Sequence, residues 1–257
     1  MRFHIVRYHG LYRDPEEIRG QPPQEFVSVD DFVHHVRGLR QDGYALLSLT
    51  DCRNRAEQGR LPDRVVCIIF DDGKESCLRL AVPVLAQEGG VATFFIVPGW
   101  LGRRNILAAS EVKDLASLGM EVGSHSMTHP FLTELAPADL DREVGGSKQF
   151  LEDLLGRPVE CFSYPFGDAN SKVREAVEKA GYRLACGSRG GANQLPVDWL
   201  SLRCRAMHHR VGGADLRGML DRPGPSWGES AAGFVKRLVG MRRYARWTER
   251  WRQREVE

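Results

Sequence analysis

The stretch that decides the fold is residues 65–73, VVCIIFDDG. Its first six residues are apolar, which is typical of a strand buried on both faces of a sheet. The strand ends abruptly in Asp71, Asp72 and Gly73. In α/β folds the carboxyl ends of buried parallel strands carry functional side chains, so this acid pair is a candidate for chemistry. Taken alone, the same residues fit an ordinary Asp-Gly turn equally well.

A second group of candidate residues follows the short run 120–124, where the chain continues into His125 and His129. Two histidines at this spacing can present their imidazoles to one metal ion, and Asp72 would complete a His-His-Asp set. Three protein ligands with one position left for water are typical of a catalytic rather than a structural metal site. A lone histidine pair more often lies on a solvated helix face, but the acid pair upstream reverses that preference.

Three motifs occur in order along the chain: FDDG at residues 70–73, HSMTH at 125–129 and SYPFG at 163–167. Together they resemble the polysaccharide deacetylase family, the NodB-homology domain of carbohydrate esterases, and in particular its exopolysaccharide-modifying branch. The resemblance extends from the region of Tyr8 to the region of Arg205. It implies a metal-dependent amidase that removes acetyl groups from N-acetylated sugars, on a distorted, seven-stranded, TIM-like (β/α) barrel.

The other segments agree with such a barrel, because predicted strands alternate with predicted helices at the spacing of parallel βαβ units. We predict strands at residues 3–8, 45–49, 65–70, 91–97, 120–124, 159–164, 182–186 and 200–205. We predict helices at residues 28–43, 75–88, 110–118, 137–155 and 169–180, and a loop at 11–24. The barrel domain is expected to span residues 1–211, and a basic helical extension is expected at 212–257.

The resemblance assigns a role to each motif residue. Asp72, His125 and His129 are expected to hold a divalent metal, first of all Zn²⁺, with Co²⁺, Ni²⁺ and Fe²⁺ as alternatives. Asp71, which strand alternation turns away from Asp72, is expected to be the general base that takes a proton from the attacking water. The backbone N–H of Phe166 is expected to donate to the tetrahedral oxyanion.

Two positions depart from the family pattern. Many members carry an arginine where this chain has Ser163, and that arginine pairs with the catalytic base and orients it. Members also carry a histidine in an L-x-H context as the general acid for the leaving amine, whereas residues 205–209 of this chain read RAMHH. We take His208 as the first candidate for the acid and His209 as the second. Two ordinary loop histidines are the alternative.

Five further residues are candidates for substrate contacts. Tyr164 and Pro165 belong to the third motif, and Trp100 lies after a predicted strand, where the family carries a loop that borders the sugar groove. His9 follows the first predicted strand, and Trp199 stands in an Asp-Trp pair that resembles the family's fourth motif. A tryptophan can stack on a pyranose ring, but a tryptophan at such a position is more often a core residue. His9 fits a packed loop histidine as well.

The composition fits one domain with a sizeable core, or one domain plus a tail: 257 residues, 42% of them hydrophobic, and a net charge of +2. The six cysteines are scattered and form no Cys-x-x-Cys pair, which favours buried free thiols in a reducing compartment. The first ten residues contain no apolar run of signal-peptide length, and no later run approaches a membrane span. We therefore expect a cytoplasmic protein.

The C-terminal residues differ in charge from the rest of the chain. Residues 231–257 contain eight lysines or arginines and three glutamates, a net charge of +5. Phe234, Leu238, Met241 and Ala245 recur at helical spacing, which predicts an amphipathic helix. Such a helix either docks on the barrel with its arginines exposed or makes a peripheral contact with an anionic membrane surface. Nucleic acid is disfavoured as a partner, because the charge is confined to this tail and no recognition motif accompanies it.

These observations predict a metal-dependent hydrolase that removes N-acetyl groups from the sugars of a polysaccharide or of its glycolipid precursor. A cytoplasmic enzyme would meet a sugar intermediate of polysaccharide or glycolipid assembly, including one that is linked to lipid at the inner membrane face. Two alternatives stay open. One is a related amidase that acts on a small non-sugar C–N bond, and the other is a non-catalytic barrel that binds glycans. No oligomeric state is predicted.

Overall fold

At the centre of the sheet lies β5 (Val65–Phe70), which pairs in parallel with β1 (Arg2–Tyr8) and with β6 (Ala92–Ile96). All six residues of β5 are buried, as expected for a strand that is covered on both faces. The computed structural model describes residues 1–208, 211 and 213–221. His209 and the predicted basic helix within residues 231–257 lie outside the described residues.

The other elements follow the alternating order that the sequence predicts. The remaining strands are β2 (Gly10–Tyr12), β3 (Phe26–Ser28), β4 (Ala45–Leu46), β7 (Glu121–Ser124), β8 (Cys161–Ser163), β9 (Leu184–Cys186), β10 (Asn193–Gln194) and β11 (Arg205–Ala206). The helices are α1 (Val29–Gln41), α2 (Leu49–Glu57), α3 (Val82–Gln87), α4 (Ala109–Ser117), α5 (Pro137–Asp141), α6 (Ser147–Leu155), α7 (Ser171–Lys179) and α8 (Gly213–Asp221). Two π-helical turns precede α3 and α6, at Cys77–Ala81 and Arg142–Gly146.

Strands β2 and β3 pair only with each other. The other strands form one curled sheet in the order β10-β1-β5-β6-β7-β8-β9, with parallel pairing from β1 to β9. Residues 202–206 join the two edges of this parallel run. Leu202 bridges to β9 at Cys186, and β11 pairs with β1 at Val6 and Arg7. The sheet therefore closes into a distorted ring of seven strand positions, which confirms the predicted (β/α) barrel.

Strand alternation gives this sheet two distinct faces. On β1, Phe3 and Ile5 point inward and belong to an interior cluster. Val6 and Tyr8, at the alternate positions, belong to the outer core that the helices cover. Helix α2 lies at the amino-terminal end of the barrel, where its first residue, Leu49, joins the interior cluster. The inward positions near the carboxyl ends of the strands are left to form the mouth of the barrel.

Two predicted segments differ from the structure near the start of the chain. The predicted loop at 11–24 begins within the short strand β2, and the predicted strand at 45–49 stops early because Ser48 caps α2. The sequence does not predict α2, since only Leu49 and Cys52 of its nine residues are buried and its apolar periodicity is weak. Strand β10 is also missed, because two polar residues carry no strand pattern.

Two predicted helices are interrupted. The stretches 75–88 and 137–155 each contain a π-helical turn of five residues. In the first stretch, Pro83 follows in the opening turn of α3, where its missing N–H is tolerated. In the second stretch, the turn carries Glu143, whose side chain bonds to the loop between the two predicted metal-binding histidines. Turns of this kind are frequent at functional sites.

The residues beyond the predicted barrel domain begin by packing on it. Helix α8 lies against α1, and Arg217 pairs with Asp42 at 2.9 Å. His35 of α1 accepts a hydrogen bond at Nδ1 from the hydroxyl of Tyr8 at 3.0 Å and donates from Nε2 to the carbonyl of Val211 at 2.9 Å. These contacts join α8 of the extension to the end of α1, and they join Val211, the last residue of the predicted barrel domain, to α1 and β1. Among the described helices, none is both long and apolar enough to cross a bilayer.

Candidate active site

Four polar side chains line the mouth of the barrel at the carboxyl ends of its strands. Arg7 lies in the last inward position of β1, Asp71 follows β5, His125 follows β7, and Ser163 ends β8. Each comes two residues after an apolar or small residue that points into the barrel. All four residues are at most 7% exposed. The alternation of the strands therefore collects charges and an imidazole in one buried layer, which we call the mouth layer.

Asp72, His125 and His129 form a cluster of buried groups whose ligand atoms lie within 4.8 Å of one another. The two Nε2 atoms are 3.2 Å apart, and each lies 3.8 Å from Oδ1 of Asp72. Ligands on a tetrahedral Zn²⁺ with bonds of about 2.0–2.1 Å lie roughly 3.4 Å apart, so one ion fits among these three atoms. The structure thus brings the three predicted metal ligands together.

A hydrogen bond fixes the orientation of His125. Its Nδ1–H donates to the backbone carbonyl of Ser163 at 2.7 Å. An imidazole that is protonated at Nδ1 presents a lone pair at Nε2, and Nε2 is the atom that faces His129 and Asp72. Ser163, one of the two positions where the sequence departs from the family pattern, therefore supports a predicted metal ligand through its main chain.

Sharp backbone turns bring the ligands together. Asp72, Ser126, His129 and Phe166 all have positive φ angles, between 58° and 73°. Non-glycine residues rarely adopt this region, and a residue held there costs about 1–3 kcal/mol. Backbone strain of this kind clusters at functional sites. Here it accompanies a division of the acid pair: Asp72 faces the histidines, while Asp71 faces an arginine.

Glu143 holds the loop that carries the two histidines. Its carboxylate accepts hydrogen bonds from the N–H of Thr128 at 2.8 Å and from the hydroxyl of Thr128 at 2.6 Å. Its main-chain carbonyl accepts from the N–H of Met127 at 3.0 Å. Glu143 could not be singled out from the sequence, because a glutamate in a helical stretch is common and only the folded chain brings it to this loop.

Asp71 pairs with a buried arginine, Arg7, which belongs to none of the predicted site residues. Nε of Arg7 lies 3.3 Å from Oδ2 of Asp71, and their side chains are 9% and 1% exposed. Burial lowers the pKa of Arg7, but the charge of Asp71 and the nearby thiols raise it, and the resulting pKa lies above the usual arginine value. Oδ1 of Asp71 has no hydrogen-bond donor among the described residues. The signal that could have found Arg7 is a charge that follows two apolar residues, Phe3 and Ile5, on the same face of the strand.

Comparison with known proteins agrees with this geometry. Residues 58–185 match the family model described as polysaccharide deacetylase, and this span contains all three motifs. The chain belongs to the polysaccharide deacetylase family. It is 29% identical over 167 residues to YxkH of Bacillus subtilis, whose name assigns it provisionally to the same family, with 65% of this chain and 60% of YxkH covered.

A second curated relative of the chain is a poly-beta-1,6-N-acetyl-D-glucosamine N-deacetylase of Staphylococcus aureus. The two are 25% identical over 171 residues, which cover 61% of this chain and 59% of the relative. The chain therefore spans about three fifths of the length of the curated relatives that it matches.

The fold of the chain is similar to that of two solved structures. One is the Streptococcus pyogenes deacetylase PplD, with a TM-score of 0.79 and 23% identity, covering 86% of this chain and 99% of that one. The other is IcaB from Ammonifex degensii, with a TM-score of 0.73 and 20% identity, covering 85% of this chain and 96% of that one. At these identities the likeness shows the fold alone.

Three aromatic rings lie at or next to the metal-ligand cluster. The ring centroids of Trp100 and Phe166 are 5.1 and 4.5 Å from that of His129, and Phe131 stacks on Phe166 at 4.3 Å. Trp100 and Phe166 are predicted site residues that the structure brings to the cluster. Phe131 was not predicted as a site residue, although its position two residues after His129 could have suggested it. We call Trp100, Phe131 and Phe166 the aromatic wall.

Of the predicted substrate-contact residues, Tyr164 and Pro165 are buried, and Trp199 lies at the start of β1. Tyr164 is 2% exposed and donates its hydroxyl to the carbonyl of Leu200 at 3.0 Å, because it continues the outward face of β8. Burial also raises the pKa of this tyrosine. Pro165 is buried too. Trp199 stacks on Phe3 at 5.5 Å, near the start of β1 and thus at the opposite end of that strand from the mouth layer. The side chains of Tyr164 and Trp199 are therefore not brought to the acid pair.

His208 follows the strand that closes the barrel. Ala206 pairs with Arg7, and the N–H of Met207 donates to the carbonyl of Arg7 at 2.8 Å, so the chain continues beside β1. Alternation places His208 on the same side of the sheet as Ala206, one step further toward the mouth. His208 is half-buried. The second candidate acid, His209, lies outside the described residues.

His9 lies at the end of β1, beside the start of the acid pair. The N–H of Asp71 donates to the carbonyl of Tyr8 at 3.0 Å, which puts the following residue, His9, level with the mouth of the barrel. The carbonyl of His9 accepts a hydrogen bond from the thiol of Cys77 at 3.1 Å. His9 is half-buried, and its role in substrate contact stays a prediction.

Proposed function

We propose that the chain is a metal-dependent hydrolase that removes N-acetyl groups from the sugars of a polysaccharide or of its glycolipid precursor. The observation that carries this proposal is the cluster of Asp72, His125 and His129 with a second buried carboxylate, Asp71, beside it. Nε2 of His125 lies 4.0 Å from Oδ2 of Asp71, so the carboxylate that is not a predicted ligand lies beside the predicted metal ligands. Membership of the polysaccharide deacetylase family supports the same activity.

The donor set of Asp72, His125 and His129 suits a divalent ion. Two imidazoles and one carboxylate fit Zn²⁺ best, and Co²⁺, Ni²⁺ or Fe²⁺ accept the same ligands. When bound, such an ion lowers the pKa of water and polarises an amide carbonyl. The Nδ1–H bond of His125 keeps its Nε2 free for this purpose, and the bonds of Glu143 keep the loop in place.

Three groups of the chain handle the protons and the developing charge. Asp71 takes the proton of the attacking water at Oδ1, the oxygen without a donor among the described residues. The N–H of Phe166, whose ring packs against His129, donates to the carbonyl oxygen as negative charge develops there. His208, beside the end of β1, gives a proton to the leaving amine.

The aromatic wall supports a sugar as the substrate. Trp100 and Phe166 pack beside His129, and Phe131 stacks on Phe166, so apolar rings on which the C–H face of a pyranose can pack lie next to the cluster. The Staphylococcus aureus relative is named for its action on a poly-N-acetylglucosamine. We therefore infer that an N-acetylhexosamine residue, in a polymer or in its glycolipid precursor, is the substrate.

We also propose that the deacetylase acts in the cytoplasm and that residues 231–257 make a peripheral contact with the inner membrane face. All six cysteines are buried and free, which is usual for proteins of a reducing compartment. This location would bring the enzyme to precursor sugars during their assembly. Cell fractionation of the tagged chain tests the proposal, and recovery of the protein from outside the cytoplasmic membrane would contradict it.

The activity is tested by acetate release from N-acetylglucosamine oligomers, together with elemental analysis of the purified protein. Wild type and Asp71→Asn should both hold one metal ion per chain. Acetate release should fall by about 10²–10⁴-fold in Asp71→Asn, the range that a general base contributes. The matched control is Asp72→Asn, which changes the adjacent carboxylate and should lose the metal as well as the activity.

Other outcomes separate the alternatives. Bound metal without acetate release from sugars, but with turnover of small amides, would favour an amidase that acts on a small non-sugar C–N bond. Protein that binds N-acetylated glycans but holds no metal would favour the non-catalytic barrel. Unchanged acetate release in Asp71→Asn would contradict the role of Asp71 as the general base.

A further inference from the structure

We propose that Arg7 is a positioning residue that holds Oδ2 of Asp71 and thereby leaves Oδ1 as the oxygen that takes the proton. The proposal rests on the proposed deacetylase activity, because it concerns the general base of that reaction. It adds a residue of the first strand to the site. None of the three sequence motifs contains this residue.

The carboxylate of Asp71 is held on one side only. Oδ2 lies 3.3 Å from Nε of Arg7 and 4.0 Å from Nε2 of His125, whereas Oδ1 has no donor among the described residues. In the described part of the chain, Arg7 is the only lysine or arginine that pairs with Asp71. A carboxylate that is fixed at one oxygen keeps its second oxygen in a constant direction, which is what a general base requires.

Arg7 is itself fixed from several sides. It lies in β1, where its backbone is in register with Ile69 of β5 and Ala206 of β11. Its Nη2 donates to the carbonyl of Gly187, directly after β9. The planar guanidinium of Arg7 therefore reaches from Asp71, after β5, to Gly187, after β9, and it can hold both at the same time.

A purely structural role does not explain a charge at this place. The two inward positions before Arg7 on the same strand are Phe3 and Ile5, which pack in the interior cluster. Replacing a buried ion pair by apolar residues of similar volume is often neutral or stabilising, so stability alone does not require an arginine here. Among the inward positions of β1, the charge occurs at the one that reaches Asp71, which indicates that it serves the acid.

The first test compares Arg7→Gln and Arg7→Lys with wild type, and Ile5→Val is the matched control in the same strand. In Arg7→Gln we expect kcat to fall by about 10–100-fold while KM and metal content change by less than about threefold, because a misplaced base slows the chemical step. Arg7→Lys keeps the charge but loses the planar guanidinium, so its kcat should lie between that of wild type and that of Arg7→Gln. Ile5→Val should lower the unfolding midpoint and leave kcat unchanged.

The second test is chemical rescue. Added guanidinium ion should restore part of kcat in Arg7→Ala, and NaCl at the same ionic strength should not. If Arg7→Ala does not fold, the results for Arg7→Gln and Arg7→Lys decide. An unchanged kcat per folded molecule in Arg7→Gln, or loss of its metal, would overturn the proposal. Wild type is assayed first: its failure to release acetate would refute the proposed function, whereas an active wild type with an equally active Arg7→Gln would refute only the role of Arg7.

Discussion

The mouth and the floor of the barrel interior are built from the same strands but carry different chemistry. The floor, which we define by Phe3, Val65, Phe95 and Cys161, is apolar and packed. The mouth layer carries an arginine, an aspartate and a histidine in place of such residues, and the turns above it contain four non-glycine residues with positive φ. Fold stability and chemistry are thus separated along the barrel axis.

A carboxylate in the floor shows how the two ends use buried polar groups. Glu121 accepts hydrogen bonds from the N–H of Leu49 at 3.0 Å and of Thr50 at 3.1 Å, at the start of α2, and also from the hydroxyl of Thr93. Both of its oxygens are satisfied, so it serves the fold by capping a helix. Asp71 in the mouth layer keeps one oxygen without a donor among the described residues, and this leaves it available to a substrate or to water.

The largest expected effect comes from removing a ligand at the mouth. His129→Ala should lower the metal affinity by more than about 100-fold, because even residues that only orient a metal ligand contribute about 10–100-fold. Acetate release should be lost with the metal. The free energy of unfolding of the metal-free protein should change by less than about 1.5 kcal/mol, since the floor stays intact. Metal titration and chemical denaturation measure the two quantities, and a much larger loss of stability would show that the mouth also holds the fold.

The second prediction concerns the floor. Phe95→Ala should lower the free energy of unfolding by about 3–5 kcal/mol, because Phe95 is fully buried and its ring packs where a side chain at Gly123 would stand. The metal affinity of the folded variant should stay within about threefold of wild type. Chemical denaturation and metal titration test this. Phe150→Ala, at a phenylalanine that is 40% exposed, is the control and should cost less than about 1 kcal/mol. Loss of metal binding in folded Phe95→Ala would contradict the separation of the two ends.

The smallest effect is expected from the thiols, and it appears only at high pH. Burial raises the pKa of Cys161 in the floor well above 9.0, so the thiol stays protonated in the folded protein while it ionises in the unfolded one. The free energy of unfolding should therefore fall as the pH rises above 9, by about 1.4 kcal/mol per pH unit for this thiol. In Cys161→Ala the free energy of unfolding should fall less steeply with pH, because the contribution of this thiol is gone.

The same thiol should react with a maleimide only when the protein unfolds. Denaturation curves between pH 8 and 10 and timed alkylation of the native protein measure the two effects. Cys204 differs from Cys161 in the direction of its pKa shift. Burial raises the pKa of Cys204, but the hydrogen bond with Cys186 and the charge of Arg7 outweigh burial, so the pKa lies below the usual value. Rapid alkylation of Cys161 under native conditions would show that the floor opens without global unfolding.

The metal-ligand cluster could be predicted from the sequence because its parts are local. Each of the motifs FDDG and HSMTH places its ligands within a few residues of a strand end, and the carboxyl ends of parallel strands meet at one edge of a sheet. The barrel could be predicted for a similar reason, since alternating strands and helices repeat along the chain. Only the short or weakly apolar elements, such as α2 and β10, left no pattern to detect.

The missed and misplaced residues depend on contacts that a local pattern does not contain. The pairing of Arg7 with Asp71 requires the register between β1 and β5, which only the folded sheet fixes. Trp199 lies in an irregular segment, and its ring stacks on the start of β1 rather than at the mouth. Tyr164 is different, because strand alternation from the inward Ser163 already indicates that the next side chain points outward.

The pairing of the first barrel strand with the last has a consequence for biosynthesis. At translation rates of about 5–20 residues per second, roughly 10–40 s separate the synthesis of Arg7 from that of its strand partner Ala206. During this interval β1 can pair with β5 on one side, but its other edge has no β11 to bond with. Until β11 has been made, the nascent chain therefore exposes an open edge of β1, which favours aggregation unless a chaperone covers it.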